Sequence, residues 1–166
     1  MATRAPDLKR ALLEKLLAHL DAERAATVRA HDDARIAATH AEAKPENDKD
    51  TRALEASYLA AGQAARVAEL EVAAKVLGTM ELRAFGASTP IQSTAIVTLE
   101  DDDGAESTFF VAPHGGGVKL EAEGRAFQVV TPQSPLGQAL LGRTQGDVVE
   151  LRAKGKVREM TILSVE

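Results

Sequence analysis

The hydrophobic pattern changes character once along the chain. From Pro6 to Gly78, apolar residues recur at alternating spacings of three and four, the period of an amphipathic helix. One register of the first helix runs Leu13, Leu16, Leu20, Thr27, Ala30, Ala34, Ala37 and Ala41, with Glu23 as the misfit. Pro6 and Asp7 suit a helix start. Proline fixes φ, and a carboxylate there meets the positive end of the helix dipole. The pattern breaks over Lys44-Pro45-Glu46-Asn47-Asp48-Lys49-Asp50. Pro45 disfavours helical geometry at Lys44, Asn47 and Asp48 favour a turn, and Asp50 or Thr51 can cap a second helix. Ala56, Ala60, Gln63, Val67, Leu70, Ala74 and Leu77 then resume the period, and Gly78 ends it. Two long helices joined by a short polar turn predict an antiparallel hairpin, a coiled coil with an alanine-rich seam. About 37 residues per arm at ~1.5 Å each make a rod of roughly 55 Å.

Beyond Gly78 the period shortens to that of strands. β-branched residues from Gln92 to Leu99 predict a strand, Asp101-Asp102-Asp103-Gly104 a turn, and Ser107 to Ala112 a second strand. His114-Gly115-Gly116-Gly117 reads as a loop, followed by strand-like Phe127 to Val130. Ser134 can cap a short helix with Pro135 at its first position. Leu136, Ala139, Leu140 and Leu141 give that helix an apolar side, and Gly142 stops it. Val148 to Leu151 and Val157 to Val165 predict the last two strands. Composition shifts at the same place. Residues 1–85 hold two Gly and two Pro, whereas residues 86–166 hold ten and four. The expected domains are therefore a helical hairpin over 1–85 and a domain over 86–166. The fold class is α+β, with a small antiparallel sheet packed by one short helix.

The whole chain has 166 residues, enough for one or two small domains and too few for a large multidomain enzyme. Lys and Arg total 20 against 25 Asp and Glu, a net charge of -5. A protein held mainly by nucleic-acid phosphates is normally basic. Aromatics are 3%, so stacking is not a widespread binding device. The absence of Cys excludes disulfides, thiol catalysis and Cys-based zinc sites. The charged start is not a secretory leader, and no uninterrupted apolar run of ~18 residues spans a membrane. The expectation is a soluble cytoplasmic protein, a monomer unless the alanine-rich seam recruits a second hairpin.

Candidate chemistry is sparse. The phosphate-loop pattern GxxxxGK[ST] and GxGxxG are both absent, and Gly115-Gly116-Gly117 lacks the Lys and helix that would follow. His19, His31, His40 and His114 form no HExxH pair. Ser134 lacks the GxSxG setting of a nucleophile. Asp101-Asp102-Asp103-Gly104 lacks the twelfth-position ligand of a calcium loop. The hairpin turn stands out, because Glu46, Asp48 and Asp50 fall within five residues and Glu55 follows one turn into the next helix. Two carboxylates on a turn can hold a hard cation such as Mg²⁺ and leave positions for water and phosphate. Alone they supply too few ligands, so a partner must complete the site.

The segment Ser134-Pro135-Leu136-Gly137-Gln138-Ala139-Leu140-Leu141-Gly142-Arg143, followed by Gly146-Asp147-Val148-Val149, resembles the C-terminal domain of the Gre (GreA/GreB) transcript-cleavage factors. That family carries Ser-Pro-(Leu/Ile), a small-residue helix, Leu/Ile-Gly-(Lys/Arg) and Gly-Asp before the next strand. The resemblance is strong over 127–166 and looser over 1–85. It implies an FKBP-like C-terminal domain that docks on bacterial RNA polymerase at the rim of the secondary channel. Ser134, Pro135, Leu136, Arg143, Gly146 and Asp147 are the positions carried over to polymerase binding. The hairpin is implied to enter the channel, where acidic tip residues complete a second Mg²⁺ site of the polymerase. That metal activates water to cut backtracked RNA near its 3′ end, so the protein is an accessory factor and the polymerase does the catalysis. Asp48 and Asp50 are the candidate metal ligands, with Glu46 and Glu55 as alternates, and no cofactor is bound by the protein alone.

The tip departs from the family pattern of an acidic residue, two spacers and Glu-Asn-Ala-Glu-Tyr. Two alignments stay open. If Tyr58 matches the family's Tyr, Leu54 stands where the catalytic Glu belongs; otherwise Asp48 and Asp50 form a re-made acidic pair. Three functions compete accordingly: a stimulator of cleavage, a channel-occupying regulator or inhibitor, and a coiled-coil adaptor. Prolyl isomerase activity would need an aromatic-lined pocket, for which only Phe109, Phe110 and Phe127 are at hand, and alternation turns at least one of the first two inward.

Overall fold

The computed structural model describes residues 5–42, 51–153 and 156–166. Helix α1 spans Ala5–Glu42 and α2 spans Thr51–Gly78. Both arms run as the apolar period predicts, and Pro6 and Asp7 lie in the first turn of α1. Among the described residues no helix is long and apolar enough to cross a membrane.

The chain forms two compact units, one of residues 18–75 and one of residues 1–17 with 76–166. This division differs from the composition boundary near Phe85. The base of α1 carries Leu8, Leu12 and Leu16, 0 to 3% exposed, and these leucines pack with the sheet-bearing unit. The buried stripe repeats every four residues there, so Leu8 and Leu12 are fully covered while the expected Leu13 is only half-buried. A step of four advances the face by about 40°, which wraps the stripe around the helix.

Within the unit of residues 18–75, Leu20 of α1 and Leu70 and Ala73 of α2 are buried. Farther out the half-buried positions are Thr27, His31 and Ala34 on α1 and Ala60, Gln63 and Val67 on α2, close to the expected register. The helices are tied by charge as well. Arg66 Nη2 lies 2.6 Å from Glu23 Oε1 and Arg66 Nη1 lies 3.2 Å from Glu69. Arg24 pairs with Asp21 at 2.9 Å and reaches Glu71 at 3.8 Å. His31 Nδ1 and Gln63 Oε1 are buried without a hydrogen-bond partner.

The other unit is built on a six-stranded sheet. Its strands are β1 (Ile96–Asp101), β2 (Glu106–Val111), β3 (Lys119–Ala122), β4 (Arg125–Val130), β5 (Val148–Ala153) and β6 (Lys156–Val165), in the order β3-β4-β2-β1-β6-β5. Helix α3 (Pro135–Leu140) precedes β5. The α+β class is as expected, but the sheet is mixed: β2 and β4 pair in parallel, Phe109 to Val111 against Gln128 to Val130. The expected sheet was antiparallel throughout and lacked β3. A hairpin of β3 and β4 returns the chain beside β2, which makes β4 parallel to it. β3 is a four-residue edge strand with exposed Lys119 and Glu121, too short and polar to show in the apolar pattern.

Both sheet faces are buried at the centre, since Ile96 and Val97 are each fully covered although neighbours on a strand point to opposite faces. On one face Val97, Leu99, Val111, Val130, Ile162 and Val165 pack with Leu140 of α3. The opposite face holds Ile96 and Phe110. A Cβ on Gly115 would stand 2.6 Å from Leu16 Cδ1, so the loop after β2 lies directly against the base of α1.

Candidate functional site

The two sequence-derived sites fare differently. At the hairpin turn, Glu46, Asp48 and Asp50 lie outside the described residues. Glu55 is exposed on α2, and Tyr58 beyond it is 70% exposed. Among the described residues no group of three or more His, Cys, Asp or Glu side chains is placed to hold a metal ion.

The motif at α3 is fully described. Ser134 caps the helix: its Oγ accepts from Gly137 N at 3.0 Å and donates to Thr131 O at 2.8 Å. Pro135 takes the first helical position, where its missing N–H has no partner to lose. Gly137 sits so tightly that a Cβ would be 1.9 Å from Thr131 O. Leu136 packs half-buried against the core and Leu140 is fully covered. After the helix, Arg143 donates its N–H to Leu140 O and accepts from Ile91 N at 2.8 Å. Gly146 adopts φ 91, a left-handed geometry that favours glycine. Asp147 Oδ2 accepts from Thr144 N at 2.9 Å and from Thr144 Oγ1 at 3.3 Å. Of these residues, Pro135, Arg143 and Gly146 are exposed, together with Leu141 at 37%. The polar atoms of Ser134 and Asp147 are turned into their own domain.

Beside α3 lies a cavity of about 300 Å³, walled by Phe109, Val130, Thr131, Ser134, Pro135, Leu136 and Leu151. Phe109 and Gln128 also border a second hollow of about 670 Å³, which runs over β2, β3 and β4 past Arg125 and Phe127. The two hollows share Phe109 and Gln128. Of the three phenylalanines, Phe110 and Phe127 are buried at 0 and 2% exposure, and only the half-buried Phe109 lines the cavity beside α3. Its walls escaped the sequence reading because Phe109 and Val130 meet through the parallel pairing of β2 and β4, while Leu151 comes from β5 at the other end of the strand order. The signal available was the adjacent Phe109-Phe110 pair, which alternation splits between the faces.

Electrostatics sharpen at two places. The hydrogen bonds to Glu23 and then Glu69 hold the Arg66 guanidinium above its ordinary range, and those to Asp21 do the same for Arg24. Burial pushes the Lys9 ammonium down to about 8, against the opposing pull of Glu166.

Residues 88–166 match the family described as transcription elongation factor GreA/GreB, C-terminal. The Ser134 to Asp147 motif is the part of the matched segment that builds α3 and its two flanking turns. No curated protein matches the chain. Among solved structures, one described as transcription factor Gfh1 shares 25% identity, covers 94% of each chain and has a TM-score of 0.41. GreA factor homolog 1 (Gfh1) of Thermus thermophilus shares 24%, covering 93% of this chain and 94% of that one, with a TM-score of 0.39. A GreA/GreB elongation factor from Nitrosomonas europaea shares 20%, over 58% of this chain and 78% of that one, with a TM-score of 0.37. At these TM-scores none of the three fixes the fold of the whole chain.

Proposed function

We propose that the protein is an accessory factor of RNA polymerase that enters the secondary channel and stimulates cleavage of backtracked transcripts. The observation that carries this reading is the Gre-type domain over residues 88–166. In this reading the domain docks on the polymerase through the surface around α3, where exposed Pro135 borders the cavity and exposed Arg143 follows the helix. The hairpin carries Glu46, Asp48 and Asp50 to the active site, and Glu55 follows on α2. Carboxylate oxygens are the ligand chemistry that Mg²⁺ prefers, and a pair of them leaves positions open for water and phosphate. The bound ion would activate water for hydrolysis near the RNA 3′ end. The chain's own carboxylates bind and orient; the polymerase performs the reaction, and the protein works in the cytoplasm without a membrane partner.

The same tip supports a second reading, in which the protein occupies the channel without promoting cleavage. The alignment that matches Tyr58 and leaves Leu54 at the position of the family's Glu favours it. A transcript-cleavage assay on stalled, backtracked complexes separates the two. Asp48→Asn with Asp50→Asn keeps side-chain size and turn preference but removes the charge a hard cation needs. The double variant is expected to lose cleavage stimulation while still binding polymerase. Full stimulation by the double variant would refute the roles of Asp48 and Asp50. Inhibition by wild type and variant alike would favour the channel plug, and an adaptor acting by its sides would be indifferent to every tip change.

A further inference from the structure

Among the described residues, three polar or charged side chains belong to buried residues: Lys9, Thr94 and Thr98. Thr98 meets Thr108 across the strand pair. The other two converge on one residue of the segment between α2 and β1, Arg83. Lys9 Nζ donates to Arg83 O at 2.6 Å, and Arg83 N donates to Thr94 Oγ1 at 3.1 Å. The Lys9 ammonium also stands 4.6 Å from the centroid of the Phe85 ring. From Glu81 to Phe85, Arg83 is the only described residue with a hydrogen-bonded backbone.

Local rules favour different residues at both positions. Lys9 adjoins Leu8 on the covered base of α1, where an apolar side chain would lose no hydration. Thr94 is the third residue of a turn closed by Ala95 N to Gln92 O, with φ 76. That geometry favours glycine, and a β-branched residue in it is strained. Each position thus departs from its local preference, and each spends the departing polar atom on Arg83. Such breaks in local consistency mark strained or functional places.

We propose that Lys9 and Thr94 form a two-point clasp on Arg83, a joint that opens locally and frees the segment from Glu81 to Phe85 while the sheet and the base of α1 stay folded. Opening returns the ammonium to water and lets Thr94 leave its strained conformation. The buried leucines of α1 and the strand pairs are not part of the clasp. The main apolar loss is Phe85, which is only half-buried against the core.

Amide hydrogen exchange on the full chain tests this. Thr94→Gly should raise exchange at the Arg83 amide on the order of tenfold, the loss of one hydrogen bond, while the global unfolding midpoint stays level or rises. Thr94→Ser keeps the hydroxyl and should keep wild-type protection. Lys9→Met should likewise raise exchange at the Arg83 amide without lowering the midpoint. Wild-type exchange at Arg83 in Thr94→Gly would overturn the clasp, as would loss of protection in Thr94→Ser. A midpoint that falls in Thr94→Gly, or a chain that no longer folds, would make Thr94 a part of the global fold and refute local opening.

Discussion

At its base, helix α1 buries Leu8, Leu12 and Leu16; from Thr27 outward it offers Thr27, His31 and Ala34, none of them fully covered. The base is held by apolar area, worth about 1.5–3 kcal/mol for each fully buried leucine. The outer arm is held by small residues that permit close approach and by exposed ion pairs, each worth under about 1 kcal/mol. One helix therefore serves two purposes. Its first turns are core for the sheet-bearing unit, and its outer turns belong to the helical unit, whose seam gains little from burial. Stability is concentrated where the domain must hold its shape, and the arm relies on helix propensity and charge.

Breaking the base should cost most. Leu12→Ala is expected to lose about 3–5 kcal/mol, the cost of a buried leucine plus the cavity left behind, read as a shift of the urea midpoint of the full chain. Gly137→Ala should destabilise the same unit by about 3 kcal/mol, because the new methyl meets the Thr131 carbonyl with no flexible neighbour to give way. A midpoint within error of wild type would show that the α3 turn relaxes freely.

Lys9 adds a pH dependence to the base. Its folded value is lowered to about 8 from 10.5, so the unfolded chain binds the proton more tightly between those values. Stability from this group should be flat below pH ~8 and should rise from there to about pH 10.5, by at most on the order of 3 kcal/mol. Subtracting the profile of Lys9→Met isolates it, since other groups that titrate there cancel. A difference curve that falls with pH would reverse the assignment.

The outer arm should respond weakly and in the opposite direction. Gln63→Leu removes a buried, unpartnered Oε1 and adds apolar area, so the helical melting transition should rise by about 1 kcal/mol. Arg66→Ala should cost less than about 1 kcal/mol, and the loss should fade in high salt because the pairs with Glu23 and Glu69 are exposed. A large effect at Arg66 would erase the contrast between base and arm.

Much of this organisation was legible in the sequence, for physical reasons that differ by element. The Lys44 to Asp50 break lies outside the described residues, while Pro6 lies in the first turn of α1 and Gly78 ends α2 because capping chemistry is local. Ser134-Pro135 placed α3 for the same reason. Strand direction was not legible, because alternation in Phe109-Phe110 or Val129-Val130 is the same in parallel and antiparallel ladders. The domain boundary near Phe85 followed glycine and proline content, which cannot register that Leu8, Leu12 and Leu16 belong to the same compact unit as the sheet. Lys9 reads as a surface charge in any one-dimensional pattern, and only the fold reveals its burial. In the candidate site, the acidic turn was visible as composition and the α3 motif as spacing. The cavity beside α3 was not, since Phe109 and Val130 come from the paired β2 and β4 and Leu151 from β5 at the other end of the strand order.

The way Ser134, Gly137 and Asp147 spend their atoms bears on how such proteins can diverge. A serine that caps its own helix, a glycine pressed against Thr131 and an aspartate closing its own turn answer to folding, whatever the hairpin does. In the proposed role the segment between the two helices would answer to a different demand, set by what it meets. Substitutions between Glu46 and Glu55 would then exchange one activity for another without a mark on the Ser134 to Asp147 motif.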